Sequence, residues 1–186
     1  MIKKQYVLFT MGEETYGADI NTVREIIMPV GITKVPSNPP FIEGVINLRG
    51  QLIPVLDLKK RFKLGTVQDI STARFVIANV NSILTGFTVD EVTEVLRLDE
   101  EQIEPAPEVT KIGKEYVQGI AKIDGKLLVL LDLSKVLTVK EKEILEETLE
   151  ETQKEVEKKE SKAKSKEKQK ETSKETKKET GKNPKK

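Results

Sequence analysis

The stretch that decides the fold is FIEGVINLRGQLIPVLDLKKRF, residues 41–62, which the chain repeats as YVQGIAKIDGKLLVLLDLSKVL at residues 116–137. The two stretches align at a constant offset of 75, and most remaining positions exchange one apolar residue for another. The identical pairs are Gly44/Gly119, Gly50/Gly125, Leu52/Leu127, Leu56/Leu131, Asp57/Asp132, Leu58/Leu133 and Lys60/Lys135. We therefore expect two copies of one small fold, in which shared residues serve the fold and departures mark function.

Short runs of apolar and β-branched residues separated by turn residues predict five strands in each copy. Tight hairpin turns are predicted at Arg49-Gly50 and Asp124-Gly125, and Pro54 predicts an edge or a bulge. Residues 41–43 are predicted to form one helical turn. The predicted strands are 5–11, 15–20, 22–28, 45–49 and 51–57, then 74–80, 83–89, 92–98, 116–123 and 126–132. Five closely turned strands per copy predict two small barrels in tandem.

Composition limits the chemistry that this chain of 186 residues can perform. It contains no His and no Cys, so the commonest general base and the usual zinc ligands are missing. No glycine-rich phosphate loop precedes a predicted helix. We therefore predict no catalytic residues, no metal site and no cofactor. Five Phe and three Tyr lie mainly in strands, where core packing accounts for them better than base stacking does.

The C-terminal part of the chain differs in composition from the rest. Residues 150–186 hold 14 Lys and 9 Glu, which leaves residues 1–149 mildly acidic. A helix is predicted over 139–149, fraying over 150–164, and disorder over 165–186. No apolar run is long enough for a membrane helix, and the N-terminal residues read as a strand. The expected location is the cytoplasm.

Comparison of the two copies separates framework from function. Asp57 and Asp132 occur in both, so we interpret each as the N-cap of the short helix that follows its strand. Arg49 occurs only in the first copy, where the second has Asp124, and Asn47 accompanies it. An Arg on a tight turn presents a rigid fork suited to a carboxylate. The first copy also has an uncharged run, 26–32, whose exposed part would suit a partner.

Four motifs together resemble the CheW family of chemotaxis adaptors: YGADINTVREII, GVINLRGQLIPVLDL, GFTVDEVTEVL and GIAKIDGKLLVLLDL. The resemblance covers roughly residues 5–146. It implies two tandem five-stranded SH3-like β-barrels, the first at about 5–65 and the second at about 73–138. A C-terminal helix at about 139–149 completes the CheW-like domain, 1–149, and residues 150–186 form a charged low-complexity tail outside the family pattern.

The resemblance also implies a function without catalysis in two-component signal transduction. CheW proteins couple the cytoplasmic tips of chemoreceptors to the histidine kinase CheA, whose own CheW-like domain they contact, and receptor helices lie in an apolar groove between the barrels. Neither nucleic acid nor direct membrane contact is expected. The family's receptor-linked positions match Val23, Glu25, Gly44, Asn47, Arg49, Gly86 and Val95. For the kinase we choose the exposed part of the apolar run, Ile27, Met28 and Val30.

Two alternatives stay open. The chain could be the CheW-like module of a kinase or receiver fusion, separated from its other domains. It begins almost directly on its first strand and carries no ATP-binding or receiver segment, so we expect a free-standing protein. A β-barrel that binds nucleic acid is the second alternative, and it would require salt-sensitive binding by residues 1–149 alone.

Overall fold

A computed structural model of the chain describes residues 3–35, 39–69, 71–108 and 111–158. In this part of the chain the fold is mainly β, with few helices. The strands are β1 (Lys3–Met11), β2 (Glu14–Asp19), β3 (Val23–Ile27), β4 (Ile42–Leu48), β5 (Gln51–Asp57), β6 (Arg74–Val80), β7 (Ile83–Val89), β8 (Glu91–Asp99), β9 (Ile103–Glu104), β10 (Val117–Ile123) and β11 (Lys126–Leu131). The helices are α1 (Leu58–Arg61), α2 (139–158) and three 3-10 turns, Glu100–Gln102, Lys114–Tyr116 and Leu133–Lys135.

The ten predicted strands are all found, within three residues at either end. The helical turn predicted over 41–43 is wrong: β4 already begins at Ile42, which pairs with Leu56. That long-range pairing overrides the local pattern. The two-residue strand β9 is too short to be recognised in the sequence. Pro54 lies where β5 pairs with β4 alone, because the pairing of β5 with β7 starts at Val55.

The strands form a six-stranded sheet, in the order β8-β1-β2-β11-β10-β9, and a five-stranded sheet, in the order β3-β6-β7-β5-β4. Each sheet combines the first hairpin of one copy with the last strands of the other. The sequence boundaries of 5–65 and 73–138 predicted for the barrels therefore do not match the sheets. The parallel pairs β2–β11 and β5–β7 each join a strand of the first copy to a strand of the second copy, so they join residues far apart in the chain.

Each sheet curls until its two outer strands are linked by continuous chain. In the six-stranded sheet, β8 leads through one 3-10 turn into β9, which pairs with β10 at the opposite end. In the five-stranded sheet, the chain leaving β3 reaches Thr33, which bridges Val45 on β4. With β8 and β9 counted as one bent strand, each unit has the five strands of the predicted barrel architecture.

Three apolar clusters follow from this arrangement. One lies within the six-stranded sheet, around Tyr6 and Leu130. A second lies within the five-stranded sheet, around Ile53 and Phe75. The largest cluster draws residues from both sheets, because alternate residues of the exchanged hairpins face away from their own barrel. The exchanged hairpins therefore contribute to a core shared by the two sheets.

The predicted helix caps are confirmed. The Asp57 carboxylate accepts a hydrogen bond from the Lys60 N–H, and the Asp132 carboxylate accepts one from the Ser134 N–H. α2 begins at 139, as predicted, but continues through 158, so the predicted end at 149 is too early. Glu–Lys pairs four residues apart favour this extension. The predicted disorder over 165–186 lies outside the described residues.

Chain contacts divide the molecule into two units, Met1–Glu146 and Glu147–Lys186. The first holds both sheets and the beginning of α2, where Leu145 is fully buried in the large cluster. Of the second unit, residues 147–158 are described, and they are helical. Among the described residues, no helix combines the length and apolar character needed to cross a bilayer.

Candidate protein-interaction site

The β4–β5 hairpin tip places Arg49 in a conformation that Arg rarely adopts. Arg49 has φ 54° and Gly50 has φ 87°, and positive φ at both central residues defines the hairpin turn that Asn-Gly and Asp-Gly prefer. The second hairpin turns the same way, with Asp124 at φ 49°. The fold therefore accepts an Asp at this position, and Arg49 is explained by what it contacts.

Asn47 stabilises the turn that carries Arg49. Its side-chain oxygen accepts a hydrogen bond from the Gly50 N–H at 2.8 Å. This bond joins the two ends of the turn that contains Arg49. The second copy has Lys122 at this position, so this side-chain brace belongs to the first copy alone. Asn47 thus positions Arg49.

The Arg49 guanidinium forms a two-pronged pair with Glu25 on β3. Nη1 donates to Oε1 at 3.2 Å, and Nη2 donates to Oε2 at 2.9 Å. The Arg49 side chain is 77% exposed, against 24% for Glu25, so the pair contributes only about 0–1 kcal/mol to stability. Its main effect is to fix the guanidinium beside a cavity, and the pair uses two of the five N–H donors of the guanidinium.

The cavity beside this pair is named here the first groove. It has a volume of about 570 Å³. Most of its lining is polar or charged. Its apolar members are Val23, Leu48 and Leu84, which are half-buried, and Ile53, which is fully buried. The lining residues are Asn21, Thr22, Val23, Arg24, Glu25, Leu48, Arg49, Gln51, Ile53, Asn79, Ser82 and Leu84. All of them belong to the five-stranded sheet or its turns, so this groove lies on one barrel, whereas the resemblance implied a groove between two.

Two glycines of the predicted receptor set serve the fold. A Cβ on Gly44, which has φ 145°, would lie 2.2 Å from the Thr33 carbonyl oxygen at the point where the barrel closes. A Cβ on Gly86 would lie 3.2 Å from Ile77 Cδ1 and 3.4 Å from Val55 Cγ2. Both glycines have counterparts in the other copy, at Gly119 and Gly17. Close packing is therefore sufficient to explain their presence.

The structure brings together some of the predicted receptor residues and separates others. Val23, Glu25 and Arg49 line the first groove, and Asn47 braces its tip. Val95 lies on β8 of the six-stranded sheet, 49% exposed, and does not line this groove. Three lining side chains and one brace thus form a single cluster.

The residues chosen for the kinase divide into two groups. Met28 is 66% exposed and Val30 is also exposed, whereas Ile27 is half-buried and packs against the cluster around Ile53. Ile26, which we did not choose, is exposed. The alternation along β3 would have identified it, since side chains of successive residues point to opposite faces. The exposed apolar strip consists of Ile26, Met28 and Val30.

Comparison of the sequence with models of protein families shows which family the chain belongs to. The model of the CheW-like domain matches residues 5–141. The chain belongs to the CheW family. It is 36% identical over 146 residues to the chemotaxis protein CheW of Treponema pallidum, covering 76% of this chain and 86% of that protein. It is 34% identical over 146 residues to CheW of Klebsiella aerogenes, covering 78% and 88%.

A solved structure agrees with the sequence comparisons. The scaffolding protein TtCheW from Thermoanaerobacter tengcongensis is 44% identical and superposes with a TM-score of 0.70, covering 75% of this chain and 90% of that one. The mainly β fold class and the CheW resemblance are confirmed. CheW proteins are chemotaxis scaffolds, so membership of the family gives this chain a scaffold role in chemotaxis.

Proposed function

We propose that this chain is a cytoplasmic, non-catalytic adaptor that couples chemoreceptor tips to the histidine kinase CheA. The observation that carries the proposal is the Arg49–Glu25 pair. The equivalent turn of the second hairpin has Asp at this position, and the exposed pair contributes little to stability. Arg49 nevertheless adopts a strained backbone conformation, and its guanidinium is held beside a groove. Strained conformations of this kind cluster at functional sites.

The first groove is the proposed receptor site. The half-buried side chains of Val23, Leu48 and Leu84 suit the apolar face of a helix, and the fixed guanidinium suits a carboxylate on that helix. Glu25 holds Arg49 in place before binding, which lowers the entropic cost of ordering the side chain. Gly44 and Gly86 act here only by keeping the barrel closed and packed. Val95 would belong to the same site only if the receptor reached across to the six-stranded sheet.

The apolar strip of Ile26, Met28 and Val30 is the proposed kinase site. These side chains are exposed on and just beyond the edge strand β3. An edge of this kind, with unpaired apolar side chains, favours packing against another folded domain. We assign it to the CheW-like domain of CheA. The strip and the first groove share β3, so one strand contributes to both sites.

The test measures two affinities for the same set of variants. The probes are a cytoplasmic receptor fragment and the isolated CheW-like domain of CheA. Arg49→Glu reverses the charge at the groove and is expected to weaken receptor binding at least tenfold, about 1.4 kcal/mol, with kinase binding unchanged. Met28→Glu is expected to do the opposite. Lys122→Glu, an exposed charge reversal outside both sites, is the matched control and should change neither affinity.

Two results would contradict the proposal. Unchanged receptor affinity in Arg49→Glu would remove Arg49 from the site. Failure of the unaltered chain to bind either probe would remove the adaptor function itself.

A further inference from the structure

The six-stranded sheet carries a second groove at the position equivalent to the first. Its volume is about 450 Å³, and its lining includes Glu94, Leu96, Asp124, Lys126, Leu127 and Leu128. At the repeat offsets of 69 and 75, these positions match the first groove: Glu94 matches Glu25, Asp124 matches Arg49, and Leu128 matches Ile53. The two grooves are one site in two copies.

The charges in the second groove differ from those in the first. Asp124 stands where the first groove has Arg49, so the groove that contains Glu94 has an acid at the position where the groove of Glu25 has a guanidinium. Glu94 and Asp124 are both exposed, and neither forms an ion pair or a side-chain hydrogen bond in the part of the chain that the structure describes. Lys126 is the cation within this lining, and it too is exposed and unpaired.

The apolar part of the second groove is more open than that of the first. Leu127 is 57% exposed, whereas the apolar residues that line the first groove, Val23, Leu48, Ile53 and Leu84, are half-buried or buried. Leu96 and Ile123 are half-buried beside it, and Leu128 forms a buried floor. Exposed apolar area bordered by charge is typical of a surface that another protein covers.

We propose that the second groove binds a segment of a partner protein in which an arginine is flanked by apolar residues. The guest arginine takes the place that Arg49 occupies in the first groove, so that its guanidinium binds the carboxylates of Glu94 and Asp124. Its apolar neighbours cover Leu127 and Leu96. The proposed contact between the guest arginine and Glu94 thus has the same geometry as the intramolecular contact between Arg49 and Glu25 in the first groove. Two unpaired carboxylates exclude a polyanion such as nucleic acid as the preferred occupant.

The second groove is a different surface from the two sites assigned to receptor and kinase. Its lining contains neither Arg49 nor any residue of the strip Ile26, Met28 and Val30. The proposal stands or fails independently of the adaptor function. A variant that damages the second groove alone should keep its affinity for the receptor fragment.

The experiment titrates the full chain with short peptides and follows backbone amide shifts by NMR. The probe is acetyl-Leu-Arg-Leu-amide, and the matched probe is acetyl-Leu-Glu-Leu-amide. The arginine peptide is expected to produce saturable shifts centred on Thr93, Glu94 and Asp124, and the glutamate peptide is expected to produce none there. Equal shifts at exposed acids elsewhere, such as Glu13, would overturn the proposal, because they would indicate unspecific charge attraction.

Two variants make the test specific. Asp124→Arg recreates the Arg-Gly tip that the first hairpin already accepts at nearly the same φ, so the fold tolerates it, and it should weaken peptide binding at least fivefold. Glu94→Gln should have a similar effect, whereas Glu13→Gln should have none. Receptor-fragment binding by Asp124→Arg should remain unchanged. Unaltered peptide affinity in both groove variants would overturn the proposal.

Discussion

The two short helical segments that end the two copies share an Asp cap and differ in their charges. In the first, Asp57 Oδ1 accepts from the Lys60 N–H at 3.1 Å. In the second, Asp132 Oδ1 accepts from the Ser134 N–H at 3.0 Å. Capping is thus a property of the duplicated frame. The side chains that follow each cap have diverged.

Links from these segments to the rest of the molecule come mainly from the first. Lys59, where the second copy has Ser134, is buried and pairs with Asp90 at 2.9 Å. Asp90 also accepts a hydrogen bond from the Gly12 N–H at 2.7 Å. This pair therefore connects α1, the loop between β7 and β8, and the β1–β2 turn. One copy supplies a charged connection that its twin lacks.

Arg61 shows the same asymmetry more strongly. It corresponds to Val136 in the second copy, and its Nε donates to the carbonyl of that same residue at 2.9 Å. Its two Nη atoms bind the Glu141 carboxylate at 3.0 and 3.1 Å. The guanidinium carbon also lies 4.4 Å from the centre of the Phe41 ring. The residues that both copies share therefore form the barrels, whereas charged residues present in one copy, Lys59 and Arg61, form the ion pairs that link separate parts of the molecule.

The largest expected effect comes from breaking the shared frame. Gly44→Ala places a Cβ against a backbone oxygen and forces a non-glycine residue to φ 145°. We expect a loss of about 3 kcal/mol or more in the free energy of unfolding, measured by urea denaturation. Gly31→Ala, where the space around a Cβ is open, is the control. Similar stability of the two variants would contradict the closure that the structure shows at Thr33.

The next effect comes from removing a single-copy link. Arg61→Met deletes the pair with Glu141 and the contact with Phe41. Both charged side chains keep some contact with water, with 13% and 17% exposure. We therefore expect a loss of about 2–3 kcal/mol, below the value for a fully buried pair. Lys135→Met, an exposed change in the other copy, should stay within about 0.5 kcal/mol, and equal losses would remove the asymmetry.

Caps shared by both copies should have smaller effects of the same sign. Asp57→Ala and Asp132→Ala each remove a side chain that accepts a backbone N–H. We expect each to lower the free energy of unfolding by about 1 kcal/mol, as measured by thermal and urea denaturation. A large effect in one copy and none in the other would show that the two caps are not equivalent.

The Asp57 cap should also give stability a distinctive pH dependence. Burial raises the pKa of Asp57 in the folded protein, against the lowering effect of its hydrogen bond from Lys60. The folded state then binds the proton more tightly than the unfolded state does, so stability falls as pH rises from the ordinary Asp pKa through the folded value. Asp57→Asn keeps a cap without this titration. The stability difference between the two proteins should change across that window and stay flat above it.

The smallest expected effect on stability comes from making the two hairpin tips alike. Arg49→Asp gives the first hairpin the Asp-Gly turn of the second. It loses an exposed ion pair but gains a residue that tolerates positive φ more easily, so the free energy of unfolding should change by less than about 1 kcal/mol. Receptor affinity should fall nonetheless. A large loss of stability would show that Arg49 serves the fold.

Local features of the fold could be predicted from the sequence because they depend on neighbouring residues. Strand positions follow alternation, the turns follow glycine, and the caps follow Asp before a short helix. The exchange of hairpins could not be predicted, because the pairing of Val55 with Gly86, and of Leu131 with Ala18, leaves no local pattern. The strand β9 was missed for the same reason, because its pairing with β10 decides it. The end of α2 was placed too early although the Glu–Lys pairs that favour its extension are a local pattern.

The site was predictable only where symmetry between the copies is broken. Arg49 stood out because its counterpart is Asp124, and the structure places it at a groove. Its partner Glu25 is 24 residues away, and the sequence does not show that the two meet. The second groove was missed, although the signal was present: Glu94 repeats Glu25 while Asp124 reverses Arg49. A charge reversal at one of two equivalent positions is readable in the sequence.

The exchanged hairpins have a consequence for how the two copies depend on each other. Cut from its twin, the first copy would hold β1 and β2 without the flanking strands β8 and β11, and β3 and β5 without the hairpin β6–β7 that lies between them. Two identical copies could close both barrels by exchanging their first hairpins, which is a domain-swapped homodimer. The present chain has the strand arrangement of such a dimer within a single polypeptide. A homodimer must repeat every residue on both sides, whereas a fused one is free to put an arginine in one groove and an aspartate in the other.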